Sequence, residues 1–383
     1  MSDVFRFDPL TLPPECERLR AEVRGFIADE KAAGRWRAQG DFASGHSPEF
    51  SRRLGQRGWI GMTWPKQYGG KERSFLERYV VTEELLAAGA PVGAHWVAAR
   101  QSGPLLLRFG NETMRCEILP RIVAGECFIC IGMSEPDSGS DLASIRTKAV
   151  PVEGGWLLNG RKIWTSNAHK AHFMIALCRT GPAEPDRHHG LSQLVVDLKA
   201  KGISIRPIKN LAGAEHFNEV VFDDVFIPAD RMIGQPGDGW KQVTSELGYE
   251  RSGPERFLST FRLLVEFVRR AGPSPDPREA EAIGRLVAQL ATLRRMSLSV
   301  AGMLQRGQLP NLEAAVVKDL GTNLEKEIPE IVRLVATRGR ASNQEDLMEE
   351  ALAHGVLNAP SFTIRGGTRE ILRGIVARGL GLR

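Results

Sequence analysis

The sequence predicts an α+β multidomain protein in which a helical N-terminal domain is followed by a β-rich central domain and a helical C-terminal domain. Three observations carry this. The first 126 residues show helix start signals and no strand alternation, Cys127 to Phe226 breaks into short β-rich runs separated by turn signals, and long helical periodicity returns beyond Gly237. The predicted domains are 1–126, 127–235 and 236–383.

Each element has a local reason. Ser47-Pro48 opens a helix, because a serine ahead of proline satisfies free N–H groups and proline's fixed φ suits the first turn. SFLE sets Ser74 and Glu77 as a capping box before an apolar run, and Asn111 caps the segment that ends near Gly125. In the middle, WLLNGRKIW reads as a hairpin turning at Asn159-Gly160, and KGISIRPI and NEVVFDDVFI continue the strand pattern. EAIGRLVAQLATLRRMSLSVAGML and NLEAAVVKDLGTNLEKEIPEIVRLVATRG are long helices, with GPSPDPREA around residue 275 as an interhelical loop. In ERSGPERFLSTFRLL, Pro254 follows Gly253, so the helix is expected to break just after Glu250 and Arg251.

Composition excludes several function classes. A chain of 383 residues with 42% hydrophobic content buries a substantial core. Its 51 basic and 46 acidic residues leave a net charge of +5, and no Lys/Arg block forms a nucleic-acid or membrane stripe. MSDVFRFDPL has neither the basic nor the apolar region of a secretory leader, and no run approaches the roughly 20 apolar residues of a membrane span, so a cytoplasmic location is expected. Five scattered cysteines argue for a reducing compartment. Cys127 and Cys130 form a C-x-x-C, but within a buried strand-like run, and no second Cys/His pair completes a metal site.

Two stretches carry chemistry. GMSEPDSGSDLASIRTKAV places Ser134, Ser138, Gly139, Ser140 and Asp141 in a loop whose small residues let a ligand approach the backbone and offer N–H and hydroxyl donors. From composition alone an ordinary polar turn remains the favoured reading. RKIWTSNA follows about thirty residues later and changes the balance.

With that combination the chain resembles the acyl-CoA dehydrogenase family along nearly its whole length. GWIGMTWPKQYGG at 58–70, SEPDSGSD, GRKIWTSNA, FNEVVFDDVFIPADRMIG and the terminal GGTREILRGIVARGLGLR match that family's motifs in order. The resemblance implies a helical N-terminal domain, a central β-barrel and a C-terminal four-helix bundle, with FAD as cofactor. It places the Met133 backbone and the Ser134 hydroxyl at the flavin's pyrimidine edge, Gly139 and Ser140 near the phosphate-bearing portion, Trp164 along the isoalloxazine and Thr165 and Ser166 beside N5. The implied reaction is α,β-dehydrogenation of an acyl-CoA thioester: a carboxylate removes the α-proton while hydride leaves the β-carbon for flavin N5.

In many members that carboxylate precedes the Gly-Thr of the C-terminal motif, where this chain has Gly366 in IRGGTREILR. Other members carry it on a bundle helix immediately before an arginine, and LGYERSG matches that arrangement, with Glu250 as base and Arg251 as the adjacent cation. An exposed helical ion pair is the bland alternative. The resemblance gives Gly366 a backbone N–H at the thioester oxygen and makes Gly367, Thr368 and Glu370 flavin contacts; Glu370 is a rival base that is expected to face the cofactor instead. The small Gly248 and Gly253 are expected to widen the acyl pocket.

The chain departs from the family at PSPDPREAEAIG, in place of an Arg-x-x-Phe-Gly flavin contact across subunits, and at ATRGRASNQED, which lacks the family's Gly-Gly element. Both departures occur in relatives that assemble from two different chains, some acting on bulky steroid side-chain thioesters. The implied partners are an electron-transferring flavoprotein and either further copies of the chain or an α2β2 heterotetramer. Two other readings are a partner subunit without a complete flavin site, and a flavin oxidase or monooxygenase on the same fold.

Overall fold

The computed structural model describes residues 6–38, 45–184, 186–336 and 347–382, with the side chains of 246–250 outside the description. In chain order the helices of the N-terminal part are α1 (Pro14–Ala32), α2 (Pro48–Gln56), α3 (Phe75–Ala87), α4 (Gly103–Phe109) and α5 (Glu112–Val123). The strands are β1 (Ile129–Gly132), β2 (Lys148–Val152), β3 (Gly155–Ser166), β4 (Phe173–Arg179), β5 (Leu191–Asp197), β6 (Ile203–Ile208), β7 (Phe217–Pro228) and β8 (Met232–Ile233). The C-terminal helices are α6 (Gly239–Glu250), α7 (Phe261–Ala271), α8 (Pro277–Gln305), α9 (Asn311–Val335), α10 (Leu347–Phe362) and α11 (Arg369–Gly379). None of the described helices is long and apolar enough to cross a membrane.

The helix starts follow their caps. The Ser47 hydroxyl accepts from the Phe50 N–H with Pro48 in the first turn, Ser74 and Glu77 form the capping box of α3, and the Asn111 side chain accepts from the Met114 N–H. A second capping box, Asp276 with Glu279, starts α8 at Pro277, so only the first part of GPSPDPREA is loop and the rest is helix. The expected break falls where proline places it: α6 ends at Glu250 and a short 3-10 turn, Pro254–Arg256, precedes α7.

The chain divides into two compact units. One comprises Met1–Phe42, Ser74–Pro91 and Glu250–Arg383 and is helical. Its buried carboxylates Glu83 and Glu84 on α3 are paired rather than apolar-packed. Arg20 of α1 donates to both, Arg24 reaches Glu84 at 2.7 Å, and Arg294 of α8 grips Glu83 at 2.6 and 3.0 Å. Burying such charges is tolerable only because each has a partner.

The other unit, Ala43–Arg73 and Val92–Tyr249, holds α2, α4, α5 and the sheet. The strands pair in the order β6-β7-β3-β2-β4-β5-β8, with β1 parallel to β4. Here the expected closed barrel is corrected: β6 and β8 end the path without pairing to one another among the described residues, so the sheet is open. The core on this sheet is built from alternate residues along its strands, including Cys130, Leu158, Met174, Val196, Val220 and Phe222. Cys127 and Cys130 are both buried and unbridged, and no metal-holding cluster exists among the described residues.

The hairpin turn was also expected in the wrong place. Asn159 and Gly160 lie inside β3, and the β2–β3 turn is at Glu153-Gly154 instead. Asn159 is used across the sheet, its side chain exchanging hydrogen bonds with Asp224 at 2.8 and 2.9 Å, and a register shift separates Leu158 from Gly160. Gly160 is required there because a Cβ would lie 2.5 Å from Thr147 Oγ1. The Asn-Gly pair therefore marks a bulge, which shares its residue preferences with a tight turn.

Burial also sets an acid sensitivity in this unit. His95 is 6% exposed with Nδ1 2.8 Å from Ser51 Oγ, and desolvation pushes its pKa down from 6.5 to about 3. The unfolded chain then binds a proton that the folded chain refuses, so stability is full above about pH 6.5 and falls as pH drops toward the folded value. At about pH 5 this one histidine is expected to cost about 2 kcal/mol. Urea melts of wild type and His95→Gln at neutral and acid pH measure it, since the variant loses that part of the pH slope.

Candidate active site

In the sheet unit, Met133 and Ser134 continue directly from β1, and two bonds dock them on β3. The Met133 carbonyl accepts from Lys162 Nζ at 2.9 Å and the Ser134 carbonyl from the Ile163 N–H at 2.9 Å. Glu135 accepts from Lys162 Nζ at 2.8 Å and from the Arg146 and Thr147 N–H groups at 2.7 and 2.9 Å. Its carboxyl is lowered despite burial, through Lys162 and these N–H donors. The loop then closes on itself: Glu135 and Ser138 exchange backbone bonds, and the Ser138 hydroxyl donates to the Asp141 carbonyl. Gly139 and Ser140 are exposed beyond it, and a Cβ on Gly139 would meet nothing within 4 Å.

Two residues past Lys162 stands Trp164, an exposed aromatic with backbone in the left-handed region. It is 56% exposed at φ 57°, edge-on to Phe217 at 5.9 Å. A bulky non-glycine residue holds that conformation only where its neighbours impose it. They do so from both sides, through the Ser134–Ile163 bond before it and a bond from Asn218 Nδ2 to the Thr165 carbonyl at 2.9 Å after it. Thr165 itself is buried, and its hydroxyl has no hydrogen-bond partner among the described residues. Ser166 ends β3 opposite Phe217. The structure thus brings Met133, Ser134, Trp164, Thr165 and Ser166 onto two joined segments, with Gly139 and Ser140 on the open loop.

In the helical unit, Gly366 and Gly367 both take left-handed φ, 65° and 101°, so the turn before α11 requires glycine twice. Two buried cations hold its carbonyls: Arg251 Nε donates to Gly366 O at 3.3 Å and Lys318 Nζ to Gly367 O at 2.6 Å. Thr368 caps α11, accepting from the Ile371 N–H. Glu370 is exposed in the first turn, and its own N–H, the Thr368 hydroxyl and nearby arginines hold its carboxyl below the usual range. Proton abstraction calls for a raised value, so this environment is a poor one for a base. Glu250 ends α6, and its side chain lies outside the described residues, as does that of Gly248's neighbourhood. Gly253 does not open a pocket: a Cβ there would lie 2.1 Å from the Glu255 carboxylate, which already fills that space.

Sequence reasoning missed Glu135, Lys162, Asn218 and Lys318. All four are buried polar residues in otherwise apolar or motif-bearing runs, and a charge amid AAVVKDLG was a visible signal for Lys318.

The arrangement is that of a helix–sheet–helix protein with two ligand-ready segments on its sheet and a cation-held glycine turn in its helices. Comparison with known proteins identifies it further. The acyl-CoA dehydrogenase N-terminal, middle and C-terminal domain models match residues 13–126, 130–225 and 237–381. Acyl-CoA dehydrogenase IpdE1 of Mycobacterium tuberculosis is 34% identical over 387 residues, covering 96% of this chain and 98% of that protein. Acyl-CoA dehydrogenase FadE34 of the same organism is 34% identical over 372 residues, and this chain spans only 49% of its length. Among solved structures, the Tcur3481-Tcur3483 steroid ACAD superimposes with a TM-score of 0.85 at 29% identity over 97% of this chain and 99% of that one. The ChsE4-ChsE5 complex from Mycobacterium tuberculosis gives 0.83 at 28% over 98% and 100%.

The chain belongs to the acyl-CoA dehydrogenase family, a family of flavoproteins. It is accordingly an oxidoreductase of lipid degradation that dehydrogenates acyl-CoA.

The sheet-unit segments fit a flavin. The unpartnered Thr165 hydroxyl, the exposed face of Trp164 and the open approach at Gly139 are what a planar, hydrogen-bonding ring with a phosphate tail uses. Thr165→Val is therefore expected to stabilise the flavin-free protein by about 1 kcal/mol, since it removes a buried unpaired hydroxyl, while reducing the further stabilisation on flavin addition. Thermal melts with and without FAD check both halves.

Proposed function

We propose that this chain binds FAD through Met133, Ser134, Gly139, Ser140, Trp164, Thr165 and Ser166, with Gly367, Thr368 and Glu370 as further contacts, and converts an acyl-CoA thioester to its 2-enoyl-CoA. The observation that carries the reading is the docking of Ser134 on Ile163, one residue from a Trp164 held exposed in a strained conformation. FAD, when bound, supplies the hydride acceptor. Glu250 removes the α-proton onto its carboxylate, and the Gly366 N–H donates to the thioester carbonyl as negative charge develops there. Arg251 Nε donates to the Gly366 carbonyl, in the peptide that follows this N–H, and so fixes the residue from its other side.

On this reading the division into 1–126, 127–235 and 236–383 separates an N-terminal helical domain, the FAD-holding β-domain and a C-terminal bundle of the four-helix type. The substrate class is a bulky, steroid-like acyl group, supported by the structure described as a steroid ACAD. The chain works in the cytoplasm, as further copies of itself or in an α2β2 assembly, and passes electrons to an electron-transferring flavoprotein. Two-chain complexes among the similar structures support the heteromeric form.

The test is to purify the chain, identify the flavin released on denaturation, and mix the yellow protein anaerobically with straight-chain and steroid-side-chain thioesters. Bleaching by the bulky thioesters in preference to short straight chains is expected. Equal bleaching by both removes the proposed substrate class, and a colourless protein removes the flavin reading.

A further inference from the structure

We propose that the buried Lys162–Glu135 ion pair is a positioning element that sets the direction and donor strength of the Ser134 N–H toward the flavin; the proposal rests on the reading that these segments hold FAD. Lys162 is fully buried on β3, and its Nζ donates both to Met133 O at 2.9 Å and to Glu135 Oε1 at 2.8 Å. Space for its stem is reserved: a Cβ on Gly132 would lie 3.2 Å from Lys162 Cγ and 2.5 Å from Met174 Sδ. Glu135 is in turn fixed by the Arg146 and Thr147 N–H groups, so the ammonium is aimed from a rigid base.

Mere packing does not call for such a pair. An apolar pair of similar volume commonly stabilises a core as well as a buried ion pair does. What an apolar pair cannot do is orient a peptide. The Met133 carbonyl and the Ser134 N–H belong to one planar trans unit and point in opposite directions. Holding that carbonyl on Lys162 therefore turns the Ser134 N–H away from the buried pair, and the charge on the acceptor side polarises the unit, strengthening the N–H as a donor. On its other face Ser134 is held by its own carbonyl to Ile163, next to Trp164, so both segments are set by one joint.

Four proteins are compared: wild type, Lys162→Met, the charge-neutral double variant Lys162→Met/Glu135→Gln, and Trp164→Ala as a control on the flavin reading. Melting of the flavin-free chains, the FAD dissociation constant and the midpoint potential of bound flavin are measured. The double variant leaves no unpaired buried charge and is expected to fold. Its FAD dissociation constant is expected to rise about tenfold or more, the value of one lost charge-assisted hydrogen bond, with a more negative flavin potential. An FAD affinity and potential matching wild type in the folded double variant, with Trp164→Ala impaired, overturn the proposal. A double variant that does not fold also overturns it, by making the pair a folding element. If Trp164→Ala too binds FAD as wild type does, the flavin reading itself has failed.

Discussion

Glu250→Gln is expected to lower kcat by roughly 10²–10⁴-fold while leaving flavin content and thioester binding near wild type, which is the range that removal of a positioned general base spans. The amide keeps the shape of the side chain and loses only the capacity to take the α-proton. The expectation rests on the family resemblance, which implies a carboxylate just before the Gly-Thr of the C-terminal motif in many members, where this chain has Gly366 with no side chain to accept a proton. Glu370, the acidic residue of the C-terminal motif, is exposed with a lowered pKa, so Glu370→Gln is expected to leave kcat within a few-fold of wild type. Steady-state kinetics of both variants with one thioester decide between them. A collapse in Glu370→Gln with an active Glu250→Gln reverses the assignment.

Arg251→Met is expected to reduce kcat/KM by about 10–100-fold without loss of flavin, the cost of removing one hydrogen bond from a charged donor. Arg251 is 5% exposed and its Nε donates to the Gly366 carbonyl at 3.3 Å, while Nη2 would lie 3.4 Å from a Cβ on Gly367. It therefore fixes the glycine whose N–H is the proposed oxyanion donor, acting through the peptide that follows that N–H. The effect is expected on kcat rather than KM, because polarisation of the thioester matters most as negative charge develops. Flavin absorbance of the purified variant together with its kinetic constants checks this. Loss of flavin with unchanged kcat per bound flavin contradicts it.

Local chemistry made much of the fold legible. The caps at Ser47, Ser74 and Asn111 act through neighbours three residues away, so a short stretch contained the whole interaction. The break after Glu250 was legible for the same reason, because proline acts on its own backbone. Asn159-Gly160 was misread because a bulge and a turn ask for the same residues, and only the pairing of β3 with β2 and β7 distinguishes them. Closure of the sheet was not legible either: whether β6 meets β8 depends on pairing between distant segments, which no local pattern encodes.

The site divides in the same way. Ser134, Trp164 and the paired glycines Gly366 and Gly367 stood out through motif and composition. Their supports did not, since Lys162 reaches the Met133 carbonyl from 29 positions away and Lys318 the Gly367 carbonyl from 49. The apolar run around Lys318 marks it as out of place, but only neighbours in space reveal which carbonyl either lysine holds. Gly253 illustrates the converse error, because its empty side-chain position is taken by Glu255 and offers nothing to a substrate.

The central claim is that this chain performs base-assisted dehydrogenation with residues of its own, and anaerobic stopped-flow mixing of the purified, flavin-loaded chain with a bulky acyl-CoA tests it most directly. The expected result is rapid bleaching in wild type and retained yellow colour in Glu250→Gln with the thioester bound. Equal bleaching in both proteins, or none in flavin-loaded wild type across the thioester panel, contradicts the claim.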